Sequence, residues 1–167
     1  MERGMLADLA GAAPGLYSFR DSTCAYSEGE ELFRELSALA SRTPECDPAL
    51  RGRIMAWHGW MSYRRASYAL AGRILEEAVA ILEPLDQPGD TGFALCGTGL
   101  IFYSLGQSDS LMQAFRKAHS YAARSGRRDL MARTETGMGL GHYLRKEYEE
   151  ARARFEEAIR LYAESGD

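Results

Sequence analysis

The sequence predicts an all-α chain, a stack of antiparallel helix pairs of the α-solenoid kind. Three observations carry this expectation. Five columns of residues recur at a constant step of 40; each 40-residue repeat divides into two helical segments at a short polar break; and apolar residues within those segments fall at spacings of three and four, one face of a helix. The columns are Gly59/Gly99/Gly139, Tyr63/Tyr103/Tyr143, Ala71/Leu111/Ala151, Leu75/Phe115/Phe155 and Ala78/Ala118/Ala158.

Repeat 1 is expected over residues 48–87. Asp47 is placed to cap its first helix, with Pro48 in the first turn, where a missing donor costs nothing. Its second helix is expected to stop near Pro84. Repeat 2, residues 88–127, breaks at Gly106-Gln107-Ser108, read as a C-terminal glycine followed by a serine cap. In repeat 3, residues 128–167, a break at Arg145-Lys146-Glu147 separates a first helix around Met138–Leu144 from a second over Tyr148–Ala163, whose early acids suit the helix dipole. The segments Asp86–Asp90 and Ser125–Arg128 join the repeats. Residues 1–47 are less regular. Leu32, Leu36 and Leu39 lie 39 residues before Ala71, Leu75 and Ala78 and predict a degenerate second helix over 29–41. Its partner is expected around 16–25, and residues 2–11 form a short capping helix. All of this is read as one domain, 1–167.

A glycine inside a helix costs roughly 1 kcal/mol against alanine, so the recurring glycine implies that two backbones approach closely there. Leu75, Phe115 and Phe155 are expected to fill the adjoining space. Gly137-x-Gly139-x-Gly141 is not a phosphate loop, since no strand precedes it.

The pattern resembles the tetratricopeptide repeat, whose signature combines L-G-x2-Y with A-x3-F. Met138-Gly139-x2-His142 with Ala151-x3-Phe155, Thr98-Gly99-x2-Phe102 with Leu111-x3-Phe115, and His58-Gly59-x2-Ser62 with Ala71-x3-Leu75 carry it over residues 48–167. Met55, Leu95 and Glu135 stand where the family has tryptophan. The longer period is similar to that of repeat arrays in large bacterial signalling regulators of the LuxR type with an ATPase module. The resemblance implies a right-handed superhelix whose first helices line a concave face. On that face stand Arg53, Trp60 and Tyr63, then Phe93, Leu100 and Tyr103, then Arg133, Leu140 and Tyr143, with Cys96 and Thr136 between them. Such a groove is aromatic and aliphatic with arginines at its rim, suited to an apolar helix or an extended peptide. It lacks the lysines and asparagines with which chaperone-binding members grip a terminal carboxylate. Residues 2–11 of the chain itself are the alternative occupant.

The function expected is therefore a non-catalytic protein- or peptide-binding adaptor, with a ligand- or peptide-sensing module of a bacterial regulator as the alternative. No nucleophile motif, metal-ligand spacing or Walker loop is present, so neither enzyme activity, cofactor nor metal is expected. His58, His119 and His142 fall in different columns and read as packing residues, as do Cys24, Cys46 and Cys96. With 20 basic and 24 acidic residues the net charge is −4, which offers no field for a polyanion, and the pairs Arg64-Arg65 and Arg127-Arg128 read as solvated helix ends. Eighteen of the 20 basic residues are arginine, as a GC-rich bacterial genome favours. No run of about 18 apolar residues, no secretory start and no disulfide pattern is present, so no membrane contact and a cytoplasmic site are expected. Ile159 and Tyr162 lie where a following repeat docks in such an array. Either the chain continues in a longer protein or two copies pair there, and a homodimer through a symmetric contact of these two residues is expected.

Overall fold

The computed structural model describes the backbone of residues 2–165 and the side chains of 12–165. These residues form eight helices and no strand: α1 Glu2–Ser22, α2 Tyr26–Arg42, α3 Pro48–Arg64, α4 Tyr68–Leu82, α5 Pro88–Ser104, α6 Ser108–Ser125, α7 Arg128–Leu144 and α8 Tyr148–Ser165. They divide into two compact units, 1–86 and 87–167. In the first unit α3 packs on α4 and α2, with α1 against α2 and α3; in the second, α5 packs on α6, α6 on α7, and α7 on α8, with α5 also touching α7. The fold class expected from the sequence is therefore present among the described residues: consecutive helix pairs, packed on one another within each unit, without a sheet.

Each pair closes through the same three-residue turn. Cys24, Ala66, Gly106 and Lys146 all take positive φ, at 54°, 59°, 69° and 63°. The N–H that follows each reaches back five residues: Ala25 to Arg20 O, Ser67 to Ser62 O, Gln107 to Phe102 O and Glu147 to His142 O, at 2.9–3.0 Å. This left-handed residue with a long back-bond is the Schellman ending of a helix, and it satisfies carbonyls that the last turn leaves open. Only one of the four positions is glycine.

The turns sit 42, 40 and 40 residues apart, and this corrects the N-terminal register. A step of 42 carries Gly29, Phe33, Leu36 and Ala40, all buried, onto Ala71, Leu75, Ala78 and Leu82, also all buried. Leu32 and Leu39, expected on that face, are half-exposed. Two further expectations change. The separate helices over 2–11 and 16–25 are one helix, α1; Pro14 lies inside it on an exposed side, where the backbone bond it removes is least costly. Ser108 is the first residue of α6 rather than its cap; Gln107 holds the cap position without a side-chain bond. Asp47 does cap α3, accepting from Ala49 N at 3.1 Å.

The glycine column lies at helix crossings, as its spacing implies. A methyl on Gly59 would lie 2.6 Å from Leu75 Cγ, one on Gly99 2.5 Å from Phe115 Cε2, and one on Gly139 2.6 Å from Phe155 Cε1. Gly137 and Gly141 have the same role toward the other neighbour. A methyl on either would overlap Phe115 or Met112 of α6. The three glycines of α7 thus let it press against α8 on one side and α6 on the other. Tyr17 occupies the place of Gly59 in the α1–α2 pair, with its ring 6.4 Å from Phe33.

Candidate interaction surface

In the second unit, the face expected from the sequence is built by α5 and α7. Phe93, Leu100 and Tyr103 on α5 and Arg133 and Leu140 on α7 are each partly exposed, and Tyr143 is 52% exposed. Their neighbours on the same helices, including Ala94, Leu95, Cys96, Ala132 and Met138, are buried. The Arg133 guanidinium stands 5.8 Å over the Phe93 ring, joining the two helices by a cation–π contact. Tyr143 meets Tyr148 of α8 edge-on at 5.9 Å, and Tyr148 is itself 59% exposed. Cys96 is fully buried, which pushes its thiol up to about 12 and leaves it a packing residue. Thr136 donates to Ala132 O and is occupied within its own helix.

The first unit offers less. Arg53 and Tyr63 are half-exposed, but Trp60 is 1% exposed and belongs to the core. Its ring packs edge-on to Tyr63 at 6.2 Å, and Tyr63 in turn lies 5.8 Å from Tyr68. This corrects the placement of Trp60 on an open face. The signal lay in α3 itself: Ile54 to Met61 is apolar nearly all round, the mark of a helix covered on every side. Trp57 packs between successive helix pairs, on Phe33 of α2 at 5.8 Å.

Many of the charged groups are paired within the fold. Arg64 makes a two-pronged bond to Asp21 at 2.8 and 3.1 Å, Arg65 pairs with Glu30, Arg127 with Asp129, and Arg128 with Glu164. The basic pairs are helix-end ties. His142 Nδ1 lies 2.6 Å from Glu147, and His119 Nδ1 lies 3.0 Å from the Thr134 hydroxyl. Glu135, 4% exposed, holds Arg154 at 3.0 Å and has His119 Nδ1 at 3.5 Å, so this buried acid ties α7 to α8 by an ion pair and lies against α6. Sequence spacing carried no sign of this network, because its members are 16 and 19 residues apart in three different columns. His58 is buried, with no hydrogen-bond partner at Nε2 among the described residues. Of the cysteines only Cys96 is buried; Cys24 is exposed at its turn and Cys46 is half-exposed, a correction to the expectation that all three fill the core. No cluster of three or more metal-ligating side chains occurs among the described residues, and none of their helices is long and apolar enough to cross a membrane.

Ile159 is 68% exposed and Tyr162 half-exposed, while Leu161, beside them, is buried. The side chains of residues 2–11, the alternative occupant of the groove, and the terminal Gly166-Asp167 lie outside the described residues.

No family model and no curated protein matches the sequence. Among solved structures the chain is similar to BtubC (BKLC) from P. vanneervenii, at 16% identity and a TM-score of 0.75, over 98% of this chain and 68% of that one. At that identity the likeness speaks for the fold alone.

Proposed function

We propose that the chain is a non-catalytic, tetratricopeptide-like module that binds a protein or peptide through the α5–α7 face. The observation that carries the reading is the row of Phe93, Leu100, Tyr103, Leu140 and Tyr143, left partly open along two touching helices beside the buried Leu95, Cys96, Ala132 and Met138; Phe102, Met131 and Leu144 of the same helices are also partly exposed. Aromatic side chains with one apolar and one polar end are what recognition surfaces favour, and stacked helix pairs supply extended faces for them. Arg133, fixed over Phe93, adds a cation at the edge of the row, so an extended or helical peptide with apolar anchors and an acidic neighbour fits it best. The free cysteines suit a reducing, cytoplasmic setting.

A displayed random-peptide library panned on the chain tests this. Peptides recovered on the wild type should lose about tenfold or more in affinity on Tyr103→Ala/Tyr143→Ala, roughly 1.4 kcal/mol or more, with helicity and melting temperature unchanged. Unchanged affinity, or a large fall in melting temperature showing the tyrosines to be core, would remove the proposal.

A further inference from the structure

Each unit contains one contact between successive helix pairs, and both contacts use the same positions. In the first, Phe33 of α2 packs on Trp57 of α3, and Gly29 lies against Met61. In the second, Phe115 of α6 fills the space beside Gly137 of α7, Met112 fills that beside Gly141, and His119 bonds Thr134. The register set by the four turns extends both halves of this contact. Its second-helix half continues to Arg152, Phe155 and Ile159 on α8. Its first-helix half continues to Ala12, Gly15 and Phe19 on α1.

Both of these halves face solvent. Ile159 is 68% and Phe19 58% exposed, and a methyl on Gly15 would meet nothing within 4 Å. Phe155 is half-exposed where its counterpart Phe115 is 1% exposed. One of their three positions repeats the observed pair, and the other two replace it with a different pairing. The observed Phe115–Gly137 pair becomes Phe155–Gly15, the same two residue types. The polar His119–Thr134 pair becomes the apolar Ile159–Ala12. Met112–Gly141 becomes Arg152–Phe19, where an arginine paired on its own helix with Glu149 and Glu156 would face a ring. An exposed glycine inside α1 costs about 1 kcal/mol against alanine and gains nothing within one copy.

We propose that a second copy of this chain covers these faces: α1 of one copy docks on α8 of the next, head to tail, with Phe155 entering the space over Gly15. The contact is heterologous, so every open oligomer keeps one free α1 and one free α8 face and adds further copies until it closes into a ring.

Light scattering of the 167-residue chain from micromolar to near-millimolar concentration reads this out. The mean mass should climb past that of a dimer. Gly15→Leu and Ile159→Glu should each return it to monomer with unchanged circular dichroism, since both positions are open in the single copy. Mixing the two variants should restore a dimer and nothing larger, because one intact α1 face and one intact α8 face remain. A monomer at every concentration would overturn the proposal. So would a dimer that survives Gly15→Leu and yields only to Ile159→Glu, which would instead mean a symmetric α8 contact.

Discussion

Ala66 stands at φ 59° in the turn between α3 and α4, where its counterpart in the α5–α6 turn is Gly106. The left-handed region costs a residue with a Cβ roughly 1–2 kcal/mol, part of which glycine returns through its greater freedom when unfolded. Ala66→Gly should therefore raise stability by about 1 kcal/mol, read as a melting temperature roughly 2–4 °C higher. His58 supplies a test of a different kind. Burial holds its pKa below the ordinary histidine value; the nearby Glu30 opposes this and Arg34 adds to it. The unfolded chain therefore takes up the proton first, and stability falls as pH drops below about 6.5. His58→Leu should flatten that acid-side loss in melting temperature between pH 8 and pH 5.5. An equal loss in both proteins would show that the titrating group lies elsewhere.

At the scale of the helix, α7 is poorly helical by composition and well packed by position. Gly137, Gly139 and Gly141 each cost it about 1 kcal/mol of intrinsic propensity, and in exchange it lies close to α6 and α8. Gly137→Leu should overpack the Phe115 ring and cost roughly 1–3 kcal/mol or more, measured by urea denaturation. The column Gly59/Gly99/Gly139 and its partners Leu75, Phe115 and Phe155 were legible because the step of 40 repeats them. The α6-facing pair was not. Gly141 has Ile101 and Met61 in its column and carries no periodic signal, while Gly137 repeats Gly97 one step before it but has Trp57 two steps before, so its signal spans two repeats only. The N-terminal helix pair shows a second limit. A step of 39 aligned Leu32, Leu36 and Leu39 with the core column, whereas the true step is 42 and the face is Gly29, Phe33, Leu36 and Ala40. A slip of three residues is close to one turn of 3.6, which leaves an apolar helix looking plausible on the wrong face. The turns at Cys24, Ala66, Gly106 and Lys146 fix the register, but only Gly106 announces itself by residue type.

For the whole molecule, the sequence told more about architecture than about recognition. The helix pairs from α3 to α8 and the turns at Gly106 and Lys146 followed from periodic packing, which recurs and can be counted. A binding face is defined by what is left open, and openness depends on neighbours that one column does not reveal. Trp60 illustrates the difficulty: it shares a helix face with Tyr63, yet is enclosed while Tyr63 is half-exposed. The buried Glu135, tied to Arg154 and His119, is another feature that only the fold assembles. The central functional claim is that the α5–α7 row of the second unit is where a peptide binds. Its most direct test is amide and side-chain shift mapping on isotope-labelled protein, titrated with a peptide selected on the wild type. Perturbations should concentrate at Phe93, Leu100, Tyr103, Arg133, Leu140 and Tyr143, with the buried Phe115, Ala118 and Ala158 unmoved. Shifts centred on the outer face of α8 or on α1, with the α5–α7 row silent, would contradict it.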